Sequence, residues 1–310
     1  MMRRIAIGFL LFFLVGSHGA LAKTSSVKSS SSKEPQQLIE TYAPRLIFDQ
    51  SENYYPLSVD NSFMYLEREM RDGQYSLRTI EKLKSTNSKL SFFKGDLSAS
   101  KVYAYYIKRS DKVVDIVYWI FYPYNEGKKV FWYTIGNHVG DWEHVTVRLT
   151  DQVPTHVYFS AHSGGESMSW KDTPKTQDTH PVAYVARGSH GMYKNKGKHV
   201  YGFSLGRLID VVDYTSDGVI WNIWEKNGLS TFTSMDNGQT YSPSPSWMRR
   251  DFSSTIEGKN EKDPTGGAIN RWGNASQGTC FGSECELNSG PTGPSAKDSI
   301  MRNSPDNPVN

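Results

Sequence analysis

From Val102 onward the chain is built of short runs in which apolar and polar positions alternate with a period of two. Val102-Tyr103-Ala104-Tyr105-Tyr106-Ile107 predicts one strand. Val113 to Tyr122 is almost continuously apolar and predicts a second, central one. Asp115 interrupts it; a lone Asp in an apolar strand is costly unless paired, so it is expected on the wet side. After a turn at Pro123–Gly127, an apolar run from Val130 to Ile135 feeds the stretch Gly136 to Leu149 (G-N-H-V-G-D-W-E-H-V-T-V-R-L). That stretch reads as a Gly-bracketed loop running into an alternating strand. Residues 156–161, 182–186, 210–214 and 219–224 predict further strands, and the neighbours at 143–149 and 156–161 fit a meander. Upstream, Leu38–Tyr42 predicts one helical turn, ended before Pro44. Ala43 to Asp49 then predicts a strand with Leu46 and Phe48 on one face. Residues 62–90 mix charge with apolar residues at near-helical spacing (Phe63, Met64, Leu66, Met70, Leu77, Ile80, Leu83), which predicts one or two short surface helices or an irregular insertion. Residues from His162 to His180 and from 225 to 270 read mainly as loops. The fold class expected is all-β, mainly antiparallel: a β-sandwich with long loops and one or two short helices.

Composition places this domain within the chain. Arg3-Arg4, an apolar run Ile5–Val15 too short to span a bilayer, and Ala20-Leu21-Ala22 predict a signal peptide over residues 1–22. The Ser/Lys-rich stretch 23–37 has almost nothing to bury and predicts a disordered linker. A single β-sandwich domain over 38–295 and a flexible tail over 296–310 complete the expected organisation. The formal charge is +3, of which Arg3 and Arg4 supply two, and no basic stripe with interleaved aromatics is present. Nucleic acid is therefore not an expected partner. The two cysteines, Cys280 and Cys285, predict one small disulfide loop in an oxidising compartment, because a zinc site would need two more soft ligands nearby. Asn274-Ala275-Ser276 predicts N-glycosylation at Asn274.

Candidate chemistry gathers in Gly136–Leu149. Two carboxylates (Asp141, Glu143) and two imidazoles (His138, His144) fall within seven residues. On an extended segment Asp141 and Glu143 share a face, His144 faces the other way, and His138 can fold back across the Val139-Gly140 step. Carboxylates with one imidazole suit Mg²⁺ or Ca²⁺ better than Zn²⁺. The alternative is that the two acids bond backbone amides and stabilise a turn. Strand 156–161 ends in His162-Ser163-Gly164-Gly165, and strand 182–186 ends in Gly188-Ser189-His190-Gly191. In an antiparallel arrangement these ends can meet the start of the 143–149 strand at one rim. Ser189 lacks the G-x-S-x-G setting of a nucleophile elbow. His162 and His190 are either an acid/base pair or rim histidines bonded to loop carbonyls. Trp119, Trp132, Trp142, Trp221 and Trp224 are core candidates. Trp247 and Trp272, beside Arg249-Arg250 and Arg271, are candidates for contact with carbohydrate or a membrane interface, or for stacking on arginine.

Seven pieces occur in order through residues 40–295. They are Tyr42-Ala43-Pro44-Arg45, Glu52-x-Tyr54-Tyr55-Pro56, Gly136 through Thr146, His162-Ser163-Gly164-Gly165, Gly188-Ser189-His190-Gly191, Arg271-Trp272-Gly273-Asn274 and Gly290-Pro291-Thr292-Gly293-Pro294. In these the chain resembles the vacuolar protein sorting-associated protein 62 family, a resemblance that implies a link to vacuolar delivery and no catalytic residues. A fainter likeness is to the NPP1-like necrosis-inducing secreted cytolysins, which carry a Gly-His-Arg-His-Asp-Trp-Glu heptapeptide on a β-sandwich. Asp141-Trp142-Glu143 matches its end, His138 falls three before the Asp, and Val117 to Pro123 is similar to that family's upstream aromatic run. The likeness implies a divalent-metal set of His138, Asp141 and Glu143. Gly140 stands where that family has its second His, and Asn125 where it has a further metal Asp, with Glu126 next door as a compensating charge.

The resulting expectation is a secreted or vacuolar protein of the vacuolar sorting-associated 62 type, non-enzymatic. A divalent cation at His138, Asp141, Glu143 and Asn125 would order a binding rim that includes His162, Ser189, His190 and Glu126. Its expected partner is a membrane lipid or glycan head group. The rival expectations are a membrane-active cytolysin and a metal-dependent hydrolase.

Overall fold

The computed structural model describes residues 33–71, 74–80, 91–130, 133–204, 209–226, 228–243, 269–276 and 289–294. The expected signal peptide, most of the linker, the tail, Trp132, Trp247, Cys280 and Cys285 lie outside them. The disulfide expectation is corrected: no pair of cysteines at disulfide distance supports it among the described residues.

The described chain opens with helix α1 (Pro35–Thr41), with Pro35 in its first turn and Leu38 and Ile39 buried. Strand β1 (Arg45–Phe48) follows Pro44. A one-turn helix α2 (Val59–Ser62), capped by the Ser58 side chain accepting from Asn61 N, leads to β2 (Leu66–Arg71) and β3 (Gln74–Thr79). Two 3-10 turns, Ser91–Lys94 and Leu97–Ala99, precede the meander β4 (Val102–Lys108), β5 (Val113–Asn125), β6 (Lys128–Val130), β7 (Tyr133–Ile135), β8 (His138–Thr150), β9 (Val153–Ala161) and β10 (Gly164–Ser169). The remaining strands are β11 (Lys175–Thr176), β12 (His180–Val185), β13 (Met192–Tyr193), β14 (Gly197–Ser204), β15 (Ile209–Thr215), β16 (Ile220–Asn222), β17 (Leu229–Ser234) and β18 (Ile269–Trp272).

The central sheet has six strands in the order β10-β9-β8-β5-β4-β17. One face packs on a second sheet, β11-β12-β1-β16 with β13 beside β12. Ile116, Tyr118, Val145 and Val147 meet Leu46, Phe48, Ala183 and Val185 in this interface. The other face, carrying Tyr105, Trp119, Phe121 and Trp142, packs against Leu77, Phe93 and Trp272 under the small sheet β18-β3-β2. Both faces of the six-stranded sheet are thus covered, which is why β5 and β8 are buried at nearly every position and β5 is almost continuously apolar. The β-sandwich expected from the sequence is present, with a third layer on its back.

Four expectations change. Leu66–Arg71 and Gln74–Thr79 pair as antiparallel strands where short helices or an irregular insertion were expected, and cover the Trp119–Trp142 face. Asp115 is only 1% exposed and faces inward, where Arg148 binds it through two nitrogens (2.6 and 2.7 Å) and Arg109 through a third (2.8 Å). Trp272 is fully buried rather than a surface contact, its ring edge-on to Trp142 at 5.1 Å. The polar loop after His162 contains β10 and β11.

Candidate functional site

Gly140 sets the geometry of the site. The strand begins at His138 rather than after Gly140, and Gly140 sits within it at φ +72°, a conformation that glycine adopts without penalty. A Cβ there would stand 1.7 Å from the Trp272 carbonyl oxygen. This step breaks the strict in-out alternation. Val139 joins the apolar cluster of Trp142, while His138 and Asp141 both face a cavity on the opposite side. His138 Nδ1 donates to the Gly140 carbonyl at 2.6 Å. Glu143, two residues beyond Asp141, lines the same cavity and accepts from Ser160 Oγ. His144 points away, against Trp119, as the spacing predicts.

The cavity measures about 450 Å³. The end of β5, the start of β8, the β9–β10 turn at His162-Ser163 and the turn after β12 that carries Ser189 line it, with Tyr201, Gly202 and Val211 of β14 and β15 as a further wall. Of the residues singled out in the sequence, Asn125, His138, Asp141, Glu143, His162 and Ser189 line it, whereas His190 and Glu126 do not. His190 is fully buried behind Asp141. Its Nδ1 donates to Asp141 Oδ2 (3.0 Å) and its Nε2 to the Tyr54 carbonyl (3.1 Å). An acceptor at each nitrogen favours the doubly protonated ring. Burial would lower its pKa, but the Asp141 hydrogen bond and the charges of Glu52, Asp141 and Glu143 outweigh that and raise it. Its ring stacks on Tyr122 at 3.8 Å and 7°. Glu52, buried, accepts from the amides of Asn53, Tyr54 and Gly188, each at 2.8 Å. The Glu52-x-Tyr54-Tyr55-Pro56 and Gly188-Ser189-His190-Gly191 pieces are thus two halves of one corner. Glu126 lies beside Gly188 and pairs with Arg187 at 3.7 Å, off the cavity wall. Asn274 binds Thr79 through both amide atoms, so the nitrogen a glycan would need is engaged.

Comparison with known proteins assigns the central part of this frame. Residues 65–213 match the family model described as vacuolar protein sorting-associated protein 62. Over that stretch the chain is homologous to the Vps62/TDA6 family. TDA6 of Saccharomyces cerevisiae is 30% identical over 149 residues, covering 42% of this chain, and vacuolar protein sorting-associated protein 62 of the same yeast is 27% identical over 145 residues, covering 41%. The chain spans about a third of those two proteins, 31% and 30% of their lengths. Structural similarity to the NPP1-like toxin fold is weaker. A structure described as "Toxin fold for microbial attack and plant defense" gives a TM-score of 0.37 at 17% identity, over 64% of this chain and 76% of that one. NLPPya in complex with glucosamine gives 0.36 at 17% identity, over 64% and 73%. Every cavity residue from Asn125 to Val211 falls inside the Vps62-like stretch, whereas Glu52, Tyr54 and Pro291 fall outside it.

Three contributors to the site went unseen in the sequence. Asp213 of β15, fully buried, accepts from Ser189 Oγ, Lys128 Nζ (2.9 Å), His162 Nε2 (2.8 Å) and Tyr193 OH (2.8 Å). Burial would raise its pKa, but the hydrogen bond and charge of His162, with Lys128 and Ser189, hold its carboxyl far below the usual range. Lys128 and Tyr201 were also missed. Asp213 carried one signal, the same as Asp115: an Asp inside an apolar strand needs a partner. Among the described residues no three His, Cys, Asp or Glu side chains come together to hold an ion. Asn125 Oδ1 accepts from Gly127 N at 2.9 Å, and its Nδ2 donates to Asp141 Oδ2 at 3.3 Å. Asn125 thus supplies a donor to the carboxylate. Ser189, bonded to Asp213, is not activated by a histidine.

Proposed function

We propose that this is a secretory-pathway protein, secreted or vacuolar, whose rim cavity binds a small polyhydroxylated group, the sugar of a glycan or lipid head group, without reacting with it. The observation that carries this reading is the chemistry of the cavity wall. The Asp141 and Glu143 carboxylates offer acceptors, and the Tyr201 ring offers an apolar face. Acceptors recognise hydroxyl and ammonium hydrogens, and an aromatic ring packs on the C–H face of a pyranose. Ser189 donates to Asp213 rather than to a histidine, which speaks against a serine nucleophile there. The apolar leader and the names of the yeast relatives support the secretory and vacuolar assignment. Mg²⁺ or Ca²⁺ would require Asn125 to turn its carbonyl inward and Asp141 to give up a donor.

Calorimetric titration of the purified protein with D-glucose, D-glucosamine, Ca²⁺ and Mg²⁺ tests this. Saturable binding of both sugars, with glucosamine tighter because its ammonium meets Asp141 and Glu143, is expected. A protein that binds neither sugar overturns the reading. Binding of Ca²⁺ or Mg²⁺ that is lost in Asp141→Asn would restore the cation to the rim.

A further inference from the structure

The β14–β15 ribbon pairs with no other strand among the described residues, yet Tyr201, Gly202 and Val211 on it form one wall of the cavity. A two-stranded ribbon is marginal by itself, so what ties it down decides whether that wall is fixed. One backbone bond reaches it from the turn after β12, Arg187 N to the Tyr214 carbonyl at 3.1 Å. The strongest remaining tie is the Asp213 carboxylate, buried among four donors that come from β6, the β9–β10 turn, the turn after β12, and β13. Gly191 leaves room for it: a Cβ there would stand 3.0 Å from Asp213 Oδ2.

Tyr201 sits where the ribbon is irregular. Val200 pairs with Val212 and Gly202 with Val211, so Tyr201 is the extra residue of a β-bulge. A bulge re-aims a side chain and is common beside functional sites. Here the ring lies on His162, centroids 3.6 Å apart at 20°, yet remains 40% exposed at the cavity wall. His162 is held twice by the ribbon, through its edge by Asp213 and through its face by Tyr201.

We propose that the β14–β15 ribbon is a cover for the cavity, latched by Asp213, and that Tyr201 is the specificity-determining residue it brings to the ligand. The ring exchanges its stacking on His162 for stacking on the bound molecule. The second half rests on the cavity being a ligand site; the latch does not.

Hydrogen exchange on the full chain without ligand tests the latch. In Asp213→Asn, amides of 197–204 and 209–215 are expected to exchange about tenfold faster or more, the loss of a charge-assisted bond, with β5 and β8 unchanged. If Asp213→Asn fails to fold, Tyr193→Phe removes one of the four bonds and should raise ribbon exchange alone, by a few-fold. Unchanged ribbon exchange, or an increase shared by β5 and β8, overturns the latch. For Tyr201, D-glucosamine is the probe: Tyr201→Ala should weaken it about tenfold and Tyr201→Phe should not. Equal binding by all three proteins removes Tyr201 from the site. A wild-type protein that does not bind glucosamine ends the cavity reading and the Tyr201 contact together, while the exchange result still decides the latch.

Discussion

Single residues carry the geometry of this site, and His190 is the clearest. Its pKa is raised above the ordinary 6.5, so it stabilises the fold fully below that value and loses the contribution as pH rises through its folded value. Unfolding in urea at about pH 6 and about pH 9 should show wild type losing more stability on the alkaline side than His190→Gln does. At about pH 6, His190→Gln should cost about 3 kcal/mol, because it breaks a buried pair and leaves Asp141 short of its charged donor. An NMR titration placing the ring below 6.5 would contradict the imidazolium assignment. Gly140→Ala should destabilise by about 3 kcal/mol or more, since it adds left-handed strain to a clash with the Trp272 carbonyl; a thermal melt near that of wild type would show that β8 and β18 can separate there. The motif residues were legible because chemistry-bearing side chains crowd within seven positions. Asp213 and Tyr201 were not, because their partners His162 and Ser189 lie far away in sequence and only the fold unites them.

At the scale of elements, alternation identified β1, β4, β5, β9, β12 and β15, and the nearly unbroken apolar run placed β5 at the centre. It failed at 66–79, where the charged residues Glu67, Glu69 and Arg78 pair across the hairpin and the apolar residues happen to fall at helix-like intervals. Asp115 escaped for a related reason. Its two arginines come from the β4–β5 turn and from β8, so nothing near it in sequence announced that it was paired. It ties those elements together under the sheet. Asp115→Ala should cost about 3–5 kcal/mol in chemical denaturation, because two inward guanidinium groups lose their shared counter-charge. A cost under about 1 kcal/mol would mean that water already satisfies Arg109 and Arg148.

At the scale of the whole molecule, the six-stranded sheet is the frame, and the cavity sits where the start of β8 and the β9–β10 turn meet the turn after β12 of the second sheet. The layer count was not legible, because a strand covered on both faces and a strand in a simple sandwich differ only in how continuous their apolar run is. That the candidate residues of β8 and β9 converge follows from antiparallel neighbours placing one strand's start beside the next strand's end, whereas the turn after β12 reaches the same rim from the second sheet, which no pairing rule announced. The central claim is that this rim is a binding site for donor-rich ligands. Glu143→Gln tests it most directly, because glutamine keeps an oxygen for Ser160 while removing the charge that faces the cavity. In paired titrations with D-glucosamine, the substitution should weaken binding about tenfold or more, the worth of one charge-assisted hydrogen bond, with Tm shifted by only a few degrees. Glucosamine affinity unchanged by Glu143→Gln would contradict the claim.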